Sequence, residues 1–303
     1  REGDTVGLIN PVQSDLGRGD LEGAVSNLQQ LGLKVRCGRA LAACLQGGSV
    51  SNAERAAEVN ELFADPSVKA LMPLRGGFGC SRLLPYLDYE LIRRHPKVLV
   101  GFSDAVALLL AIHVRTGLVT FHGPMAVSSW AAFGVAQLRR LLFAGEATRL
   151  VNPAPAASDG SPIRTLAPGR ARGRLLGGNL TVLSSMVGSP YLGGVQGAIL
   201  FLEEVREPLS EVDRMMTQLD QAGILPRIRG LVFGECSRCS APQINESLTL
   251  DGVLLSHVRP LGIPAWRGSR IGHGEGQFTV PLGVRAEIDA AAGSIQLLEP
   301  AVS

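Results

Sequence analysis

The sequence lacks both a long hydrophobic run and an excess of charge of either sign. Its longest apolar stretch, residues 105–112, is far shorter than the roughly 18 residues that indicate a membrane-spanning helix. Its 29 lysines and arginines nearly balance its 27 aspartates and glutamates, which leaves a formal net charge of +2. Because no basic cluster stands out either, we expect neither a membrane nor a nucleic acid as a partner.

Cysteine is also scarce, and its pattern bears on compartment and metal content. There are five cysteines in 303 residues: Cys37, Cys44, Cys80, Cys236 and Cys239. An odd number without a dense framework favours free thiols in a reducing compartment. The first residues show no signal-peptide pattern, so we expect a cytoplasmic protein. The single CxxC of Cys236 and Cys239 supplies only two of the four ligands of a usual zinc site, and we expect no metal and no other cofactor.

What the sequence does contain is enough apolar material for two globular domains. Hydrophobic residues make up 46% of the chain, which is typical of a well-cored protein. Strand signals at residues 5–10, 68–74 and 97–101 alternate with helix signals, one of which begins at the capping box from Ser51 to Glu54. This βαβα order predicts an α/β fold with a parallel sheet covered by helices on both faces.

A change of composition near the middle of the chain predicts the domain boundary. Residues 152–162 are rich in proline, alanine and serine and are typical of a loop or linker. We therefore expect an α/β domain at 1–145, a linker at 146–170 and a C-terminal domain at 171–303. The short strands of the last part favour a smaller, strand-rich α+β domain.

Ser103 stands where an apolar strand ends and a helix begins, in Val98-Leu-Val-Gly-Phe-Ser-Asp-Ala105. Small residues two positions before and after it, Gly101 and Ala105, are typical of a nucleophile elbow. The free N–H groups and the positive dipole of a helix N-terminus favour an oxyanion there. On these residues alone an ordinary N-cap serine is the alternative, and Ala105 replaces the glycine of the usual elbow pattern.

A nucleophilic serine needs a base and an orienting acid. Among the five histidines, His122 and His273 lie beside glycines, and a glycine-flanked loop lets an imidazole reach into a cleft. Glu203 and Glu204 end an apolar strand, where adjacent residues face opposite sides. One of the two acids should face a site, and the residues alone do not decide which.

Short segments spread over nearly the whole chain resemble, in their order, those of the LD-carboxypeptidase family, which also contains the peptidases that inactivate microcin C. These segments are Arg75-Gly-Gly-Phe-Gly79, Gly101-Phe-Ser-Asp104, His122-Gly-Pro-Met125, Gly173-Arg-Leu-Leu-Gly-Gly-Asn-Leu180, Leu202-Glu-Glu204 with Asp213-Arg214, and Gly272-His273. The resemblance implies an N-terminal domain similar to class I glutamine amidotransferases, with the C-terminal domain packed across the cleft.

The resemblance also implies a role for each site residue. Ser103 is the nucleophile, Glu203 the acid and His273 the base, so that both domains contribute to the triad. The matching positions for the oxyanion-hole N–H groups are Asp104 and Gly77.

The activity that the resemblance implies is that of a serine carboxypeptidase. Such an enzyme releases the terminal D-alanine of murein tetrapeptides in cell-wall recycling, so its partner is a muropeptide substrate, and the family implies a homodimer. The alternatives are a microcin C-type acyl-sulfamoyl-adenylate peptidase with the same triad and a non-catalytic muropeptide-binding protein. The resemblance implies that the microcin-type branch carries a longer substrate loop before its acid; no such insertion lies between Gly188 and Glu203, which favours the murein enzyme. For the substrate's carboxylate, Arg75 and Arg82 are candidates, with a solvated surface role as the alternative for both.

Overall fold

A computed structural model of the chain describes residues 1–153, 162–241 and 247–303. The strands in this range are β1 (Thr5–Ile9), β2 (Lys34–Cys37), β3 (Val68–Pro73), β4 (Val98–Gly101), β5 (Thr120–His122), β6 (Arg149–Val151), β7 (Arg164–Ala167), β8 (Arg170–Asn179), β9 (Ile199–Val205), β10 (Gly230–Ser237), β11 (Ala265–Arg267), β12 (Val280–Leu282), β13 (Arg285–Asp289) and β14 (Ser294–Leu297). The α-helices are α1 (Arg18–Gln30), α2 (Arg39–Leu45), α3 (Asn52–Ala64), α4 (Tyr89–Arg94), α5 (Val106–Thr116), α6 (Ala132–Leu138), α7 (Leu180–Ser185), α8 (Leu209–Gln221) and α9 (Leu250–Val258). In these residues no helix combines the length and the apolar character that crossing a membrane requires.

The first sheet has the strand order β12-β5-β4-β3-β1-β2, and β1 to β5 run parallel. The helices between these strands begin and end where the sequence indicates. Ser51 caps α3, accepting a hydrogen bond from the Glu54 N–H at 3.2 Å, and Gly117 ends α5 at a φ of 80°. Only a glycine adopts that conformation without strain.

The second sheet has the order β6-β14-β13-β8-β9-β10-β11-β7. Strands β8 to β11 are parallel, whereas β13, β14, β6 and β7 join antiparallel. The chain thus forms two sheets with helices between their strands, which confirms the predicted α/β class. The similarity to glutamine amidotransferases stays a prediction.

The chain crosses between the sheets at places that differ from the expected ranges. The span 146–170, expected as a linker, contains β6 and β7 of the second sheet, and residues 154–161 of that span lie outside the described residues. Strand β12, from the expected C-terminal domain, pairs antiparallel with β5 and completes the first sheet. No linker composition surrounds β12, so the sequence does not indicate that the chain returns to the first sheet there.

Gly178 brings the two sheets together next to the serine. A side chain added there would place its β-carbon 2.6 Å from Val106 Cγ1, and the φ of Gly178 is 140°. Only glycine therefore lets the end of β8 pack against the first turn of α5.

The expectation of free thiols is wrong for one pair of cysteines. Cys236 and Cys239 form a disulfide at the end of β10, where a turn brings their Cα atoms to 5.4 Å, a separation that suits the bond. Cys37, Cys44 and Cys80 are free. Burial raises the pKa of Cys37 to about 11 and holds it as an unreactive thiol.

Candidate active site

Ser103 has a strained backbone at the carboxyl end of β4. Its φ is 59°, a left-handed conformation that costs a residue with a side chain about 1–3 kcal/mol. A single turn of 3₁₀-helix, Ser103–Ala105, leads directly into α5. At Gly101 a β-carbon would lie 3.2 Å from the Ala105 Cβ, so both positions need small residues. The local geometry is that of a nucleophile elbow.

The glycine turn after β3 lies against this serine. A β-carbon on Gly76 would lie 3.4 Å from Ser103 Oγ. The Asp104 carboxylate accepts a hydrogen bond from the Cys80 N–H at 2.7 Å and so ties the serine turn to the end of the glycine turn. Burial raises the pKa of Asp104. Gly77 fits closely as well, since a β-carbon there would lie 2.2 Å from the Gln13 carbonyl oxygen.

Glu203 and His273 are hydrogen-bonded to each other. His273 Nδ1–H donates to Glu203 Oε2 at 2.7 Å. The Glu203 side chain is 0% exposed, whereas that of His273 is 18% exposed, so the carboxylate is sealed while the ring reaches the surface of a cleft. Gly272 makes this contact possible, because a β-carbon there would lie 2.8 Å from Glu203 Oε2.

A second imidazole faces the other oxygen of the acid. His122 Nε2 lies 3.8 Å from Glu203 Oε1, and both side chains are fully buried. This separation is too long for a hydrogen bond. Burial alone would raise the pKa of Glu203, but the two neighbouring imidazoles, one of them hydrogen-bonded, outweigh it and lower the pKa to about 2. The carboxylate therefore stays ionised although no solvent reaches it.

Glu204, the alternative acid, points into a different environment. Its Oε2 accepts hydrogen bonds from the Thr181 N–H and hydroxyl, both at 2.8 Å, and its Oε1 accepts from the Asn179 amide at 3.1 Å. Burial raises its pKa. These contacts hold the start of α7 against β9, so the Glu204 carboxylate stabilises the fold.

Ser103 and His273 line one cleft of about 390 Å³. Its other lining residues are Arg75, Gly76, Gly77, Phe102, Met125, Val127, Ser128, Val205, Arg206 and Arg238. The Phe102 ring packs against the His273 ring with centroids 4.8 Å apart. The described residues contain no group of three or more His, Cys, Asp or Glu side chains that could hold a metal ion.

Comparison with known protein families gives two matches that together span most of the chain. Residues 6–123 match the LD-carboxypeptidase N-terminal domain, and residues 172–288 match the LD-carboxypeptidase C-terminal domain. The chain belongs to the LD-carboxypeptidase family. It is 37% identical over 297 residues to the "Probable murein peptide carboxypeptidase" of Bacillus subtilis strain 168, covering 96% of this chain and 90% of that protein.

Solved structures of LD-carboxypeptidase relatives have the same fold. The muramoyltetrapeptide carboxypeptidase from Oxalobacter formigenes superposes with a TM-score of 0.82 at 29% identity, covering 97% of each chain. The microcin C7 self-immunity protein MccF in complex with aspartyl sulfamoyl adenosine gives a TM-score of 0.87 at 26% identity, covering 100% of this chain and 98% of that one.

Reasoning from sequence missed several residues of this LD-carboxypeptidase cleft. Arg206 and Arg238 line it, although no motif marks them. Of the two arginines that are candidates from sequence, Arg75 lines the cleft and Arg82 is not among its lining residues. His122 was one of two candidate histidines, but its place behind the acid follows only from the pairing of β5 with β4.

Proposed function

We propose that this protein is a serine carboxypeptidase that releases the terminal D-alanine of murein tetrapeptides by cleaving the LD-peptide bond. The observation that carries the proposal is the Glu203–His273 pair, which opens into the same cleft as Ser103 on its strained turn. The murein peptides named for the Bacillus and Oxalobacter relatives support the substrate class.

The first half of the reaction forms an acyl-enzyme. His273 Nε2 takes the proton of Ser103 Oγ as this oxygen attacks the carbonyl carbon of the scissile bond. Glu203 holds the Nδ1–H tautomer and stabilises the imidazolium that results. The N–H groups of Asp104 and Gly77 bind the tetrahedral oxyanion, and one such donor contributes a factor of about 10²–10³ in rate.

The second half releases both products. The imidazolium of His273 protonates the leaving nitrogen, the C–N bond breaks and D-alanine departs. A water molecule then attacks the ester carbon while His273 takes its proton, and Ser103 regains its hydrogen when the tripeptide leaves.

The proposal includes the organisation of the enzyme and its setting. A domain at 1–145 supplies the nucleophile and a domain at 171–303 the acid and the base. The cytoplasm is the proposed compartment, although the Cys236–Cys239 disulfide is of a kind rare there, and a homodimer is the proposed assembly. Cell fractionation and analytical ultracentrifugation test these two parts.

Incubation with disaccharide tetrapeptide tests the activity directly. Release of D-alanine, followed by mass spectrometry, is the expected result. Cleavage of a microcin C analogue alone would favour the acyl-sulfamoyl-adenylate peptidase, the alternative that the fold shared with MccF supports. Binding of the tetrapeptide without turnover of either compound would favour a muropeptide-binding protein.

Two substitutions test the assigned chemistry. Ser103→Ala and His273→Ala should each reduce kcat by about 10³-fold or more, because the nucleophile and the base act as a unit. Circular dichroism and the melting temperature should stay close to those of the unchanged protein. A variant that keeps near-full activity would contradict the role of the residue replaced.

A further inference from the structure

Two arginines of the cleft have an unusual backbone conformation. Arg206 and Arg238 have φ values of 64° and 60°. Together with Ser103 they are the only non-glycine residues with positive φ within 1–153, 162–241 and 247–303, and all three line the same cleft. Such conformations persist only where the surrounding structure enforces them, and they concentrate at functional sites. The pattern therefore points to a function for the two cations.

Neighbouring turns at the ends of β9 and β10 hold these arginines. The Arg206 N–H donates to the Ser237 carbonyl oxygen at 2.9 Å, which joins one turn to the other. Arg238 lies inside the short turn that the Cys236–Cys239 disulfide closes. Both backbones are thus fixed by contacts outside the arginine side chains.

The two guanidinium groups are available to a ligand. Both residues are exposed, and among the described residues neither side chain has a hydrogen-bond or ion-pair partner. Arg75 differs, because its Nη1 donates to the Asp15 carbonyl oxygen at 2.9 Å and to Asp20 Oδ2 at 3.4 Å. A guanidinium that lies beside a cleft without an acidic partner is suited to bidentate binding of a carboxylate.

Both arginines lie on the same side of the cleft as the base. Arg206 follows β9, which carries the Glu203 that bonds His273, and Arg238 follows β10, which pairs with β9. In the proposed mechanism His273 protonates the leaving nitrogen, so the released residue must lie beside this imidazole. In a carboxypeptidase substrate that residue carries the free carboxylate, one carbon atom away from the nitrogen.

We propose that Arg206 and Arg238 form a subsite for the terminal carboxylate of the residue that is released. The subsite confines cleavage to a peptide end, because an internal bond presents a neutral amide there. This inference rests on the proposed function, because the role of His273 in that function places the released residue beside Arg206 and Arg238. The binding of a carboxylate can nevertheless be measured without turnover.

The test uses the Ser103→Ala variant of the full chain and two synthetic peptides, D-γ-Glu-L-Lys-D-Ala with a free terminal carboxylate and the same peptide as the terminal carboxamide. Calorimetry should show tighter binding of the carboxylate. Adding Arg206→Ala or Arg238→Ala should each weaken carboxylate binding by about 10- to 100-fold, the range for losing a charge-assisted pair. The affinity for the carboxamide should stay within twofold. Arg82→Ala, an exposed arginine that does not line the cleft, is the matched control and should change neither affinity.

Equal affinities of the Ser103→Ala protein for the two peptides would overturn the subsite. So would arginine variants that weaken binding of both peptides alike, or an effect of the same size from Arg82→Ala. If the carboxylate preference and its loss are observed but the unchanged enzyme releases no D-alanine from either tetrapeptide or tripeptide, the subsite stands and the proposed function fails.

Discussion

Replacing Glu203 with glutamine removes the charge of the acid while keeping its size. The environment of Glu203 lowers its pKa from an ordinary 4.5 to about 2, a preference for the ionised form worth about 3 kcal/mol. The part of this preference that His273 supplies also stabilises the imidazolium that forms as Ser103 is deprotonated. Loss of the whole preference would correspond to about 300-fold in kcat, which is therefore the upper limit of the charge effect. A glutamine NH₂ group turned towards Nδ1 would also favour the wrong tautomer of His273, which can bring the total to about 10⁴-fold.

Glu204→Gln is the matched control, since the same change is made one residue along β9. The carboxylate of Glu204 accepts two hydrogen bonds from Thr181, and an amide can replace only part of these contacts. We expect a loss of about 1–3 kcal/mol in the free energy of unfolding, with kcat within threefold of the unchanged enzyme. D-alanine release under saturating tetrapeptide and urea unfolding measure the two effects. If Glu204→Gln lost the activity and Glu203→Gln kept it, the assignment of the acid and the reasoning from its pKa would both be refuted.

Three further predictions follow from the same site. Because its pKa is lowered to about 2, we expect Glu203 to stay ionised and to add no step to the profile of log(kcat/KM) between pH 4 and 9; a step in this range that is present in the unchanged enzyme and absent from Glu203→Gln would show that the carboxylate titrates there. His122→Phe should lower kcat about tenfold with KM unchanged, since one of the two imidazoles that lower the pKa of Glu203 is removed, and steady-state kinetics that match the unchanged enzyme would rule this out. Replacing both Cys236 and Cys239 with serine should raise KM for a peptide with a free carboxylate several-fold and leave kcat unchanged, because the arginine between them is held less firmly; an equal rise for the carboxamide peptide would argue against this.

Much of the first sheet could be predicted from sequence because its signals are local. The capping box at Ser51, the stop at Gly117 and the apolar strands each depend on residues a few positions apart. Strands β6 and β7 could not be placed in the second sheet in this way, since their partners β14 and β11 lie more than 90 residues away and the composition around them is that of a loop. The pairing of β12 with β5 escaped for the same reason.

The site was predictable to the extent that its chemistry follows chain order. An apolar strand that runs into Gly101-Phe-Ser-Asp104 indicates the elbow, and the alternation along β9 indicates that only one of Glu203 and Glu204 faces a site. Which one faces it is decided by Gly272, whose missing side chain leaves room for the acid. The disulfide could not be predicted, because the sequence around a cysteine does not show whether the residue is free or bonded. The positive φ values of Arg206 and Arg238 could not be predicted, because left-handed conformations are normally expected at glycine or asparagine.

Both sheets contribute residues with a strained backbone to the cleft. Ser103 comes from the first sheet, and Arg206 and Arg238 come from the second, so each side of the cleft holds residues in a conformation that they would not adopt by themselves. The first sheet enforces its strained residue with a close-packed turn of small residues, and the second does so with a disulfide and hydrogen bonds between turns. Strain is retained only where relaxation would lose more than it gains. With the proposed roles, a nucleophile and a carboxylate-binding pair whose backbones are both held in this way would keep their separation fixed, and that separation would determine which bond of a peptide lies over the serine.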